Sequence, residues 1–434
     1  MRIAVRGDGI AAHLAALMLA RAGQTVIRIP AGTGDHGLGP IGAAVVGLPD
    51  WQATEVAGAI GWVPGSAFAL GIGLAGWGTD RWFWPFGDTG VPLDGVPFVQ
   101  VAARVRAAGH PLALADFSLA ALAARGDRFA TPSADPRSPL ATLGLGVAYP
   151  ADALADRLAA LAAAAGVQVA TTAQAELHVD ASGGDPDAGW ESWRAWLPCN
   201  RIAWRRTASD RPPPPYPLHI ATPDGWLAHV ALDGSLCEAA CSVDGPGTAY
   251  ANGIASAPWQ GDRVAIGAAA ALVEPVLGTA LLLAHDAIVR LIALLPHDPA
   301  DTRVEAAEYN RLTRIRAEAA RDAAVALWAT NARVGEPLWD GARDAAPPAL
   351  ADMLALYRSR GRVVAREDDP LSPADWALLL DGQGVRQRRL DPLAAAIPAD
   401  AALAHLARIH DRFAAEVQRM PRHADVLARL RNAA

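Results

Sequence analysis

Arg2-Ile3-Ala4-Val5-Arg6-Gly7-Asp8-Gly9-Ile10-Ala11-Ala12 opens the chain, and Thr25 to Ile29 follows after Gly23. Arg2 to Val5 is a short apolar run ending at charge and glycine, which predicts a buried strand. His13 to Ala22 is apolar without a breaker and predicts a helix; Thr25 to Ile29 predicts a second strand. In that β-α-β order a Gly-x-Gly-x-x-Ala motif has a mechanical reading. Gly7 makes the tight turn, Gly9 lets backbone approach a pyrophosphate, and the small Ala12 lets helix and strand close up. The pyrophosphate then sits on free N–H groups at the helix start, where the dipole also favours an anion. One part departs from the pattern. The acid usually placed at the end of the second strand, to bind ribose hydroxyls, is Pro30. NAD is therefore the poorer candidate, and a dinucleotide is expected to be held loosely.

Working outward, the 434 residues carry 38 basic and 45 acidic side chains, a net charge of −7, with 52% hydrophobic and 19% charged residues. That excludes a disordered chain, leaves room for two or three structural units, and argues against a nucleic-acid partner. Every basic residue is arginine; the chain has no lysine. Cys199, Cys237 and Cys241 make no disulfide scaffold and show no second pair at zinc spacing, so no metal and a reducing, cytoplasmic location are expected. Leu14 to Ala20 could pass for a signal-peptide core, but cleavage there would discard the glycine motif. Val264–Ala284 has about the length of a membrane span, yet Glu274-Pro275 lies at its centre, so no membrane is expected.

Further along, Trp77 to Phe98 predicts strands and loops. Asp152 to Ala165 predicts a helix, Val167 to Ala170 a strand, and Leu177 to Asp180 a strand ending at Ser182-Gly183-Gly184. Pro212–Pro215 is a rigid polyproline bend. Leu218 to Val243 predicts antiparallel strands turning at Pro223-Asp224-Gly225 and Asp233-Gly234. From Thr279 onward the pattern is mostly helical, Glu305 to Ala332 being the longest run. Tryptophan, at 14, outnumbers the 7 Phe and 5 Tyr together. Trp190, Trp193, Trp196 and Trp204 gather with Arg194, Arg201, Arg205 and Arg206. They read either as a surface for a protein partner or as a packed helix edge.

Ser118-Leu119-Ala120, Arg128-Phe129 and Ala148-Tyr149-x-x-Asp152-Ala153 precede Val264-Ala265-Ile266-Gly267 and Val273-Glu274-Pro275 with Thr279. Glu308-Tyr309-Asn310, Pro337-Leu338-Trp339, Gly382-Gln383-Gly384 and Met420-Pro421-x-His423 then follow. In this order, over essentially the whole chain, they resemble the flavin-dependent tryptophan halogenases and their relatives among the FAD monooxygenases. The resemblance implies an α/β fold with a Rossmann-like FAD-binding domain, discontinuous over 1–75, 145–185 and 255–300. It also implies an antiparallel-sheet substrate region over 76–144 and 186–254, and a helical C-terminal lobe over 301–434. FAD would contact Gly7, Gly9, Ala12, Asp180, Gly183, Gly267, Pro275, Gly278 and Thr279. Trp82, Trp84, Trp226 and Trp339 would surround an aromatic substrate.

Halogenase chemistry does not carry over with the resemblance. Where the family has lysine in a Phe-Lys-Leu-Gly segment, this chain reads Phe68-Ala69-Leu70-Gly71. Its Glu-Pro-Leu-Glu-Ser-Thr motif reads Glu274-Pro275-Val276-Leu277-Gly278-Thr279 here, and Trp-x-Trp-x-Ile-Pro is reduced to Trp226-Leu227-Ala228-His229-Val230-Ala231. Pro275 and Gly278, eight and eleven residues after Gly267, instead resemble the flavin-contacting segment of aromatic hydroxylases, with Ala268 in place of its aspartate.

The reading implied is an FAD-dependent monooxygenase that hydroxylates tryptophan or a related indole through a flavin C4a-hydroperoxide. Molecular oxygen is the co-substrate, and electrons come from NAD(P)H or from a partner flavin reductase. The cofactor carries the oxygen chemistry; His229 and Glu274 are the candidate bases for the ring N–H or O–H. A lysine-less member of this family resembles the monooxygenases of tryptophylquinone maturation in quinohemoprotein amine dehydrogenase, whose substrate is a Trp-containing polypeptide. Two alternatives stay open: a hydroxylase of a small free aromatic in secondary metabolism, and a catalytically silent flavin- or peptide-binding protein.

Overall fold

The computed structural model describes residues 1–31, 44–78, 81–183, 189–296 and 301–433. β1 (Arg2–Arg6) sits inside a six-stranded sheet because Ile3, Ala4 and Val5 are apolar on both faces and all three are buried. It runs parallel to β2 (Thr25–Ile29) on one side and to Leu177–Asp180 on the other. Gln168–Val169 and the hairpin Trp259–Gln260/Arg263–Ala265 complete the sheet. Gly184, expected at the strand end after Asp180, lies outside the described residues.

The connecting helix α1 (Ile10–Arg21) begins three residues before the expected His13. Gly9 takes an extended N-cap conformation, so the second half of the glycine motif is already the first helical turn. Helices Ala151–Ala164 and Ala280–Ala293 both pack against α1. Enclosed in this way, α1 carries Ala and Leu all round and no polar stripe.

A seven-stranded sheet forms the second layer. Its order is Thr248–Ala249, Arg201–Ala208, Ser235–Ser242, Gly225–Leu232, Leu218–Thr222, Gly71–Ala75, Arg81–Pro85. The two expected turns hold: Thr222 pairs with Gly225 and Leu232 with Ser235, each across a two-residue connection. Strand Gly71–Ala75, which borders residue 75, belongs to this sheet and runs parallel to Leu218–Thr222.

The C-terminal lobe is helical, led by the 27-residue helix Arg303–Ala329. Its second half, from Ala319 on, is buried on every side. A charged ladder crosses that half. The Arg321 guanidinium stacks on Trp193 and Trp196, at 5.1 and 5.2 Å from the ring centroids, and pairs with Asp322 at 2.8 Å. Asp322 also takes Arg366 at 2.7 Å, and Arg366 covers Trp376. A planar guanidinium can stack and pair at once, which an ammonium cannot. Trp193 and Trp196 are therefore packing residues on a turn after strand Trp190–Ser192, while Trp204 stands exposed.

All three cysteines are buried, and none forms a disulfide among the described residues. No helix among the described residues is long and apolar enough to cross a membrane. Val264–Ala284 divides into two short strands, two 3-10 turns and the start of helix Ala280–Ala293.

Candidate active site

At the glycine motif, Gly7 has φ +138°, and a Cβ there would lie 2.8 Å from the Ala181 carbonyl oxygen and 2.9 Å from Ala12 Cβ. β1, α1 and the strand Leu177–Asp180 can thus meet only around glycine and alanine. The N-cap, Gly9, has no side chain to cap the start of α1, and the first turn holds no acid. Its N–H groups are left for an anion. Around this point Gly183, Gly267 and Gly278 also hold left-handed backbone, with φ of +67°, +58° and +68°. A Cβ on Gly278 would stand 3.1 Å from Val46 Cβ. A cradle of this kind fits a flavin dinucleotide: bare helix N–H groups for the pyrophosphate and side-chain-free backbone for a ring edge.

The ribose end differs. Pro30 is exposed at the end of β2, and Asp8 pairs with Arg28 while its Oδ2 accepts the Ala31 N–H at 2.8 Å. Asp180 is likewise turned to local use, its Oδ1 accepting from the N–H and hydroxyl of Ser182 at 2.9 and 2.6 Å. Gly7→Ala is expected to destabilise the fold by about 2 kcal/mol or more, through overpacking at positive φ. It should also abolish flavin retention on gel filtration; a variant that keeps both flavin and melting temperature would sink this account of the cradle.

Glu274 lies just before the 3-10 turn Pro275–Leu277 and is completely buried. Its Oε1 accepts the indole N–H of Trp226 at 2.6 Å and of Trp328 at 3.1 Å, and its Oε2 has no partner among the described residues. Burial pushes the carboxyl up to about 8, against the two N–H donors that pull it down. It is therefore mostly protonated at neutral pH. Trp77 packs edge-on to Trp328 and Trp339, and Trp328 and Trp339 stack at 4.3 Å. The Trp339 N–H donates to the Thr222 carbonyl at 2.7 Å. Asn331 donates to the carbonyls of both stacked residues, Trp328 at 2.7 Å and Trp339 at 3.0 Å.

His219 is buried on the same sheet face, its ring centroid 5.2 Å from that of Trp226. Its Nδ1 lies 2.8 Å from the Val276 carbonyl, which can only accept, so Nδ1 carries the proton and Nε2 the lone pair. Burial lowers its pKa to about 4 and keeps the ring neutral. Burial first, and the Glu274 carboxyl second, raise Cys199 and Cys241 far above the ordinary thiol range, which leaves both unreactive.

The structure gathers Glu274, Trp226 and Trp339 into one enclosed cluster. Trp84 is buried beside Phe86, and Trp82 lies half-buried over Gly382. His229 is not brought to them. On strand Gly225–Leu232 it falls three residues from Trp226 and so on the opposite face, 3.5 Å from Glu238. Ala69 and Leu277, at the two altered positions of the resemblance, are closed to solvent at 0% and 1% exposure. Phe68 beside Ala69 stacks on Phe129 at 4.2 Å. Sequence reasoning missed Trp77, Trp328 and His219. The unbroken run Ala323-Ala324-Val325-Ala326-Leu327-Trp328 was a usable signal, because a helix apolar all round is buried all round.

A bare dinucleotide cradle beside an antiparallel sheet and a helical lobe defines the FAD monooxygenase-like class of oxidoreductases. Residues 2–187 and 237–399 match the family described as tryptophan halogenase, and the chain belongs to that family. No curated protein matches it. Solved structures of the same fold include BrvH, a flavin-dependent halogenase from Brevundimonas sp. BAL3, at 22% identity and TM-score 0.89, covering 99% of either chain. Xcc4156, a flavin-dependent halogenase from Xanthomonas campestris, is similar at 21% identity and TM-score 0.88, over 99% of this chain and 98% of its own. The tryptophan 6-halogenase SttH from Streptomyces toxytricini is similar at 19% identity and TM-score 0.82, over 98% of this chain and 99% of its own.

Proposed function

We propose that this chain is an FAD-dependent monooxygenase that adds oxygen to the indole ring of a tryptophan carried on a polypeptide. The observation that carries the reading is the pair Ala69 and Leu277, where the family's catalytic lysine and glutamate are replaced by enclosed aliphatic groups. A methyl and an isobutyl group can neither capture an electrophilic halogen nor take a proton. Ring hydroxylation asks less of side chains: a positioned substrate and exclusion of water. The family takes its name from tryptophan, and SttH is a tryptophan 6-halogenase, which supports an indole as the ring.

FAD would be held by Gly7, Gly9 and Ala12 at its pyrophosphate and by Asp180 and Gly183 at the neighbouring strand end. Gly267, Pro275, Gly278 and Thr279 would face its ring edge. When bound, it supplies the activation of oxygen. Glu274, protonated and hydrogen-bonded to two indoles, fixes Trp226 and Trp328 as a rigid wall. His219 Nε2 is the acceptor able to hold an indole N–H or a phenolic proton, at any pH above about 4. His229, on the other face, has no part in this step.

The test is a reconstitution with FAD and oxygen, reduced in one arm by NAD(P)H and in another by a flavin reductase. Free tryptophan, a small phenol and a Trp-containing polypeptide are offered with and without bromide. We expect the polypeptide to gain one or two oxygen atoms, indifferent to bromide. A brominated product would overturn the assignment, and oxygenation confined to free tryptophan or the phenol would remove the polypeptide from it.

A further inference from the structure

Two clefts lie back to back on either side of the loop Gly384–Leu390, well away from the glycine cradle in sequence. One, of about 490 Å³, is walled by the end of helix Phe98–Ala107 and the segment after it. The other, of about 440 Å³, is floored by Ala329, Thr330 and Asn331 at the end of the long helix. Arg386 and Arg388 line both. Arg106 and Arg389 add to the first cleft, Arg343 and Arg358 to the second.

Against these six guanidinium groups stand three carboxylates paired to them. Asp381 takes Arg106 and Arg386, Asp340 takes Arg343, and Asp344 takes Arg358. Arg388 and Arg389 are exposed, and their side chains have no partner among the described residues. In a chain whose net charge is −7, an unbalanced local excess of positive charge calls for a partner of opposite sign.

We infer that the loop Arg386–Arg389 and its two clefts dock an acidic segment of the polypeptide that carries the substrate tryptophan. The inference rests on the function proposed above. Two separate clefts on one loop suit carboxylate side chains reaching down on both sides of it, where guanidinium groups bind them bidentately. A polynucleotide would meet the same arginines but be repelled by the acidic remainder of the surface. The place also has a line to the aromatic cluster. Asn331 floors the second cleft, and its amide holds the backbones of Trp328 and Trp339. Gly78 and Trp82 pack directly on Gln383 and Gly382, at the root of the loop.

The test uses the full chain and a fluorescein-labelled Glu-rich decapeptide without tryptophan, read by anisotropy at low and moderate salt. A Lys-rich decapeptide and a single-stranded decanucleotide serve as comparison probes. We expect the acidic peptide alone to bind, and Arg388→Glu with Arg389→Glu together to weaken it by about tenfold or more. The control Arg303→Glu, at the other end of the long helix and about 39 Å along its axis from Ala329, should leave binding unchanged. Thermal melts of all variants separate lost docking from lost folding. No binding of the acidic peptide, binding indifferent to the double reversal, or tighter binding of the oligonucleotide at these arginines would each overturn the inference. Binding that depends on Arg388 and Arg389, in a protein that oxygenates no polypeptide, would leave the docking site standing and remove the proposed function instead.

Discussion

Glu274→Ala is expected to lower the stability of the native state by about 3–5 kcal/mol near pH 5, among the largest effects available to a single substitution here. Two losses add. The indole N–H groups of Trp226 and Trp328 lose their common acceptor in a place water does not reach, and a cavity opens between the 3-10 turn Pro275–Leu277 and the sheet. Glu274→Gln keeps an oxygen for both indoles and should unfold within about 1 kcal/mol of the parent at that pH.

The contrast then changes with pH. The folded carboxyl has its pKa raised from 4.5 to about 8, so the unfolded chain releases this proton first as pH rises. The parent's stability contribution is whole below pH 4.5 and drains away between there and about pH 8, on the order of 5 kcal/mol in all. Glutamine cannot titrate, and its variant should lack this slope and overtake the parent in the alkaline half of the window. Urea unfolding followed by tryptophan fluorescence at several pH values reads both effects. A parent and a glutamine variant with parallel pH profiles would contradict a buried, protonated Glu274.

Ala69→Lys is the second large effect. The residue is fully enclosed on strand Ala67–Ala69, opposite Gly146 on the neighbouring strand and next to the Phe68–Phe129 stack. Four methylenes and an ammonium have to enter an enclosed strand position, and the family's glutamate position is Leu277. Overpacking and desolvation together should cost about 3 kcal/mol or more and lower the lysine pKa. Even with Leu277→Glu added, no bromide should appear in product, because both new side chains would enter closed aliphatic positions. A stable double variant that brominates tryptophan would mean that the parent is a halogenase disabled at two positions, and the hydroxylase reading would fall.

The cradle was legible because its constraints are local: Gly7, Gly9 and Ala12 act within a dozen residues of one another, and their spacing carries the geometry. The three-stranded meander Leu218–Ser242 was legible for the same reason, through its two turns. What was not legible was how distant segments converge. Nothing near Trp328 in sequence announces that its indole meets Glu274, 54 positions earlier. His219 was passed over for His229, although the alternation of strand Gly225–Leu232 already separates His229 from Trp226. Which face was inward depended on Val276 and Glu274 arriving from another part of the chain. The altered motif showed which groups were missing; only the fold shows that Ala69 and Leu277 are closed to solvent.

The ladder of Arg321, Asp322 and Arg366 has a consequence for how the chain divides. It ties the turn at 193–196, the middle of the long helix and the segment before Trp376 into one run of stacked rings and paired charges. A fragment stopping before residue 366 would strand Asp322 with half its cations, in a site only 2% exposed. The ladder thus joins the sheet-rich region to the helical lobe. Truncation or grafting of the helical lobe should fail as a folding unit, and the segment around residues 193–196 should assemble late, together with the last third of the chain.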